Sequence, residues 1–225
     1  MDWALAIDRN REALLRIVAR MFAMAGMDEA GIVETLPRYL RTAVFRILRP
    51  AEAAARRLVL IAAHDIVVVL PPRRTVVASK GSRRGSTAAN EPTCALAIVD
   101  PLPDPVPRPF YRRPVSYPRI TCLGLSEPRP IPENWIARPG DEVDAKGLCR
   151  RLAALKRALD DLPGHAKRLA RWRARRDRHE GPCRFHEMRP GRPPGHRRRA
   201  GGAVDEVLRE CHALAIHALK EADTS

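Results

Sequence analysis

The sequence predicts a mainly α fold: a helical N-terminal unit, a proline-rich irregular arm, a central helical pair and a C-terminal helix, all packing on one shared core. Three observations carry that prediction. Leu148, Leu152, Leu155, Leu159 and Leu162 recur at alternating spacings of four and three, which is one stripe of an α-helix. Fourteen of the 21 prolines fall between Pro71 and Pro139, so regular helix is confined to either side of that stretch. Neither the leucine stripe nor the apolar face of the last twenty residues has anything but irregular chain beside it, so each must find another helix to cover it. The boundaries that follow are a helical unit over 1–70, a proline-rich arm over 71–140, a basic helical pair over 141–180, an Arg/Pro/Gly linker over 181–202 and a C-terminal helix over 203–225. Aromatic residues make up 4% of the chain, so the core must be built from Leu, Val, Ile and Ala.

Residues 3–25 read as the first helix, with Ile7, Leu14, Val18, Met21, Phe22 and Ala25 on one face and Arg11, Arg16 and Arg20 off it. Gly26 supplies the C-terminal stop. Met21, Met24 and Met27 fit gap-filling in a core. A second helix is expected to begin near Thr35 and Pro37, carrying the stripe Leu36, Leu40, Ala43, Val44, Ile47 and Leu48. Pro50 should kink that rod or open a third helix over Ala51–Ala63 whose buried face is Ala54, Leu58, Ile61 and Ala62, because an interior proline loses a hydrogen bond and clashes one turn back. Ile66–Leu70 is Val-rich and favours strand.

Beyond Pro71, Lys80–Thr87 (KGSRRGST) reads as linker, since the order G-x-x-x-x-G-K-[ST] is absent. Alternating prolines from Pro101 to Pro109 favour polyproline II. Apolar residues at Leu96–Val99, Ile120–Leu125 and Trp135–Ile136 predict an arm that partly packs. Asp141 and Asp144 are placed to cap the central helix. Asp161 and Pro163 repeat a start signal, so 148–178 is a kinked helix or a tight pair; the continuation Leu162, Ala166, Leu169, Trp172 favours the pair. The last helix spans about Ala203–Ala222, with Val204, Leu208, Cys211, Ala215 and Ala218 inward and Asp205 and Glu206 in its first turn. No fixed-period repeat is present.

The formal charge of +15 points to polyanions, yet 36 arginines against 5 lysines in an Ala- and Pro-rich chain is also what GC-rich codons produce. Clustering is the better signal: Arg150–Arg199 holds 17 basic residues against 5 acidic ones. Met1–Asn10 lacks a secretory pattern, and the longest apolar run, Leu58–Leu70, is 13 residues broken by His64 and Asp65, short of the ~20 needed to span a bilayer. Five scattered cysteines (Cys94, Cys122, Cys149, Cys183, Cys211) do not form a disulfide framework. A reduced, bacterial cytoplasmic setting with no membrane span is expected.

His179, Cys183, His186 and His196 offer zinc-type ligands, but their spacing matches no common knuckle and their neighbours are cationic, so no metal site is expected. Cys211 and His212 are helix neighbours about 100° apart and cannot pair as thiolate and imidazolium. Hydrolase, zincin, P-loop and dinucleotide signatures are missing; no catalytic residue, bound cofactor or enzymatic activity is expected.

Gly191, Arg192 and Pro193, within RPGRPPGHRRR, resemble the core of an AT-hook, a segment that lays arginines along a narrow A·T minor groove. The residue before the glycine is Pro190 where the hook has arginine, so one groove-reading arginine is absent. The stretches LPRYLRTAVFRILRPAEAAARRLVLIAA, LCRRLAALKRALDDLPGHAKRLARWRARRD and RPGRPPGHRRR followed by VDEVLRECHALA are similar to an uncharacterised protein family of GC-rich alphaproteobacteria. That resemblance spans about half the chain and implies a bacterial cytoplasmic setting, with no activity, cofactor or site.

Two function classes follow. One is a non-enzymatic helical scaffold that binds a protein partner through its stripes and proline-rich arm, and this is the favoured expectation. The other is a non-specific nucleic-acid-binding protein whose candidate contacts are Arg171, Arg173, Arg175, Arg176, Arg192, Arg197, Arg198 and Arg199, with Trp172 either stacking on a base or packing in the core. Oligomeric state is left open.

Overall fold

A computed structural model describes residues 2–27, 33–71, 95–100, 138–178, 186–199 and 201–223. Among them lie α1 (Trp3–Met24), β1 (Thr35–Pro37), α2 (Arg38–Ala62), β2 (Glu142–Asp144), α3 (Lys146–Asp160), α4 (Leu162–Asp177) and α5 (Ala203–Asp223). The fold is mainly α, and all five helices pack on one core built from Leu, Val, Ile and Ala.

Helix α1 starts where Asp2 accepts a hydrogen bond from the Leu5 amide (3.1 Å) and ends in a Schellman turn. Gly26 takes φ +61°, its amide bonds the Ala23 carbonyl (3.2 Å), and the Met27 amide bonds the Phe22 carbonyl (3.1 Å). Leu14, Val18 and Met21 are fully inside.

Helix α2 is the centre of the molecule, with α1, α3, α4 and α5 all packed against it. Every residue from Pro50 to Ile61 is buried, whatever face it lies on. Four-sided burial explains the composition AEAAARRLVLIAA: alanines let neighbouring helices approach, and Leu58, Val59, Leu60 and Ile61 fill the spaces between them.

Three expectations for this region need correction. Thr35 and Pro37 lie in β1, not in a helical first turn; β1 pairs antiparallel with β2 in the register Thr35↔Asp144, Leu36↔Val143, Pro37↔Glu142. The carbonyls of Asp141 (2.9 Å) and Pro139 (3.0 Å) accept the orphan amides of Arg38 and Tyr39, so the start of α2 is capped by distant backbone. Helix α2 also runs unbroken through Pro50, so residues 1–70 hold two helices rather than three. The carbonyl that Pro50 leaves without a donor is that of Arg46, and Arg197 donates to it from the other end of the chain (3.0 Å). Ile66–Leu70 is not a strand: among the described residues no ladder partner lies beside it, Val67 and Val69 are exposed, and Arg178 binds the Leu70 (2.8 Å) and Pro71 (2.7 Å) carbonyls.

Helices α3 and α4 form the tight pair. Asp161 ends one and caps the other, accepting from the Gly164 amide (3.0 Å), with Pro163 in the first turn. Asp144 accepts from the Lys146 amide at the start of α3 (3.2 Å), whereas Asp141 closes the preceding turn on the Arg138 amide (2.7 Å) and does not reach the helix. Leu148, Leu152, Leu155, Leu159 and Leu162 are all buried. The C-terminal end of α3 is held from α1: Arg11 donates to the Leu159 (2.6 Å) and Asp160 (3.4 Å) carbonyls. Helix α5 buries Val204, Leu208, Cys211, Ala215 and Ala218 as its periodicity predicts, and Glu210 takes hydrogen bonds from Arg9 and the buried Asn10 of α1.

Of the proline-rich arm, residues 95–100 and the ends 71 and 138–140 are described. Leu96 is buried and Ile98 packs on the core, so this piece is a strap across the helices. Lys80–Thr87, the Pro101–Pro109 run, Ile120–Leu125 and Trp135–Ile136 lie outside the described residues. No helix among the described residues is long and apolar enough to cross a membrane.

Candidate functional site: a groove above a buried arginine pair

Glu52, Arg56 and Arg57 are the only charged residues in the buried half of α2, and helical spacing puts Glu52 and Arg56 one turn apart. Charges inside a core are tolerated only when paired. Arg57 has 0% exposure; it grips Asp100 with two nitrogens (2.7 and 3.2 Å) and donates to the Ala53 carbonyl (2.7 Å). Arg56, 8% exposed, donates through Nε to the same carboxylate (2.9 Å). Arg151 of α3 makes a two-point bond to Glu52 (2.9 and 2.7 Å).

Asp100 therefore sits between two guanidiniums. Burial pushes its carboxyl up, but the hydrogen bond and charge of Arg57, the charge of Arg56 and the Arg189 amide (3.3 Å) outweigh it and hold the group below the usual carboxylate range. Burial, partly offset by Asp100 and Glu52, lowers Arg56 from its ordinary value.

A parallel bridge fixes the chain after α4. Glu187 is buried and accepts from Arg173, which also donates to the Ala63 carbonyl at the end of α2 (3.1 Å), and from Arg176 (3.3 Å). The Asp100 amide bonds the Glu187 carbonyl (3.4 Å), so the two straps, 95–100 and 186–199, lie together on α2 and α4. His212 of α5 closes the cluster: burial and the neighbouring Arg57 depress its pKa, and its Nδ1 accepts a hydrogen bond from Arg57 Nε (3.4 Å).

Beside this cluster runs a groove of about 620 Å³. Phe45, Leu96, Val99, Ala154 and Pro194 give it apolar walls, and Arg49, Glu52, Arg56 and Arg151 give it charge. Two guanidiniums cover the Phe45 ring, Arg41 at 4.9 Å and Arg151 at 5.3 Å from its centroid.

The eight candidate polyanion contacts fall into different environments. Arg173 and Arg176 are engaged with Glu187, and Arg176 also covers Trp172 (5.3 Å), which itself packs on the core. Arg197 holds the Arg46 carbonyl. Arg171, Arg175, Arg192, Arg198 and Arg199 are exposed and make no ion pair among the described residues. Arg171 and Arg175 lie two positions either side of Arg173, about 160° round the helix from it, so they face away from the 186–199 strap.

The segment resembling an AT-hook is seated on the body. Pro193 is buried, and Gly191 and Gly195 adopt φ +82° and +83°. A Cβ on Gly195 would lie 2.6 Å from the Pro50 nitrogen.

Cys149 and Cys211 are buried free thiols, both raised by burial, Cys211 to about 12, so neither supplies a thiolate near neutrality. His179 and Cys183 lie outside the described residues, and among the described ones no group of three or more His, Cys, Asp or Glu is placed to hold a metal ion.

Asp100, Glu187, Arg56, Arg57 and the groove were not singled out from sequence. The available signal was Glu52-x3-Arg56-Arg57 in an otherwise apolar run, which demands buried partners without saying where they are. Comparison with known proteins gives no match: no family model, no curated protein and no solved structure aligns with the chain.

Proposed function

We propose that this protein is a non-enzymatic helical scaffold that holds a protein partner. The observation that carries this reading is the groove beside α2, a trough of about 620 Å³ with apolar walls and arginines along it, on a body whose helices share one core. Such a site has the mixed apolar and polar lining of a recognition surface. The use of arginine elsewhere supports it. Arg11, Arg173, Arg178 and Arg197 each donate to backbone carbonyls that helix ends, a proline or irregular chain leave open, so these four basic residues serve the structure.

A second reading, non-specific nucleic-acid binding, is favoured by Arg171, Arg175, Arg192, Arg198 and Arg199. If all five engaged phosphates, log affinity for a duplex would fall against log salt with a slope of about −4.5. Their division between two faces of the molecule speaks for a smaller footprint.

The two are separated by capture from nuclease-treated and untreated extract, together with a salt titration on random duplex. The scaffold reading predicts a stoichiometric polypeptide retained after nuclease treatment and a slope of about −2 or shallower on duplex. Loss of every bound polypeptide on nuclease treatment, with a slope near −4.5, would favour the second reading.

A further inference from the structure

Among the described residues, the groove lining carries more arginines than carboxylates. Arg49, Arg56 and Arg151 line the groove against a single carboxylate, Glu52, and the pair Arg57 and Asp100 lies buried beneath. Asp100 is already divided between Arg56 and Arg57, and both oxygens of Glu52 are taken by Arg151. Arg49 is exposed on the rim and has no ion pair among the described residues.

Arg56 is the unusual member. Its side chain is more than nine-tenths buried, yet among the described residues only its Nε is engaged, and the group lines the groove. A desolvated guanidinium with spare N–H donors beside open space is completed by an anion with paired oxygens, since a guanidinium presents its donors as a planar fork.

We propose that the groove is a recognition site for the carboxylates of an acidic, leucine-type segment of a protein partner, with Arg56 gripping one carboxylate at the base and Arg49 meeting a second at the rim. This rests on the interaction reading above. An apolar side chain next to those carboxylates lies against Phe45, Leu96 and Val99. Duplex phosphate fits less well, because a recessed arginine is reached by a side chain on a flexible stem and not by a phosphodiester flanked by two sugars. The chain's own neighbouring segments have the wrong sign: residues 72–94 hold 5 Arg and Lys against 1 acid, and 101–137 hold 5 against 3.

The test is fluorescence anisotropy of the full chain with a labelled nonapeptide of glutamate and leucine in a two-to-one ratio, its glutamine-for-glutamate counterpart, and duplex DNA as competitor. The expected result is saturable binding of the acidic peptide, about tenfold tighter than the glutamine peptide and weakened about tenfold by Arg49→Glu. Arg49 is exposed, so that variant keeps its helical circular dichroism and melting temperature; Arg56→Gln is read alongside it, with refolding checked in the same way. Equal binding of the two peptides, equal binding by the Arg49→Glu variant, displacement by duplex DNA at equal charge, or a Kd weaker than about 1 mM would each overturn the assignment. A nuclease-resistant partner captured equally by wild type and Arg49→Glu would overturn the groove and leave the scaffold reading standing, whereas no such partner from either would overturn both.

Discussion

Arg57 shows how a wholly buried cation is held in this molecule. Its guanidinium has 0% exposure, and among the described residues Asp100, the Ala53 carbonyl and His212 are its hydrogen-bond partners. Replacing Asp100 by Asn leaves Arg57 uncompensated and Arg56 short of its partner, and should cost about 3–5 kcal/mol, read from urea unfolding as a fall in midpoint at unchanged slope. A change under about 1 kcal/mol would mean that the pair is solvated in solution. The same cluster sets an acid dependence. Asp100 is depressed in the folded state, so its contribution is full above the unfolded carboxyl value of about 3.9 and is lost as pH falls through the lower folded one. His212 is also depressed, so folding favours the neutral ring; stability is full above about 6.5 and falls with pH below it until the folded value is passed. Unfolding free energy should therefore decline in two stages on acidification, and His212→Gln should remove the upper stage alone. A variant with the wild-type profile between pH 7 and 5 would refute the assignment.

Pro50 and the 186–199 strap are one structural unit, although 145 positions separate Pro50 from Gly195 in the sequence. Proline at the middle of a helix leaves the Arg46 carbonyl without its donor, and Arg197 restores one. Gly195 lies against the proline ring at φ +83°, where only a residue without Cβ fits. Gly195→Ala should cost about 1–2 kcal/mol for the left-handed backbone and a further 1–3 kcal/mol for the forced contact. Limited proteolysis should show the strap released, with cleavage between 186 and 199 at least several-fold faster; an unchanged rate would show that the strap is not seated. Local rules read α1 and the α3–α4 break correctly because the signals there are local: Asp2, Gly26 and Asp161 each serve the helix they adjoin. They failed at Thr35, Pro50 and Asp141, where the partners are Asp144, Arg197 and Arg138. Two of those corrections are long-range contacts that no window of neighbouring residues contains.

Across the whole molecule, α2 is buried on all sides along 50–61 and every other helix covers part of it, so the helices should unfold together. Trp3 on α1 and Trp172 on α4 report from different elements, and Leu155→Ala in α3 should shift both signals equally with a loss of about 2–5 kcal/mol. Separate midpoints would show that the core divides. The leucine stripe announced this core, but a stripe shows only that a helix has one covered face and does not show which helix lies at the centre. Along 50–61 helix α2 buries its charged residues Glu52, Arg56 and Arg57 together with its apolar ones, so its periodicity showed one buried face and not the burial on every side that makes it central. The groove was illegible for a related reason: its walls come from α2, α3, the 95–100 strap and Pro194, which are brought together only by the fold. The most direct test of the scaffold account is photo-crosslinking in the cell, with a photoreactive amino acid at Ala97 on the groove or at Arg20, exposed on α1. The account predicts an adduct from Ala97 that protease removes and nuclease does not, and none from Arg20; a nuclease-sensitive adduct, or equal adducts from both positions, would contradict it.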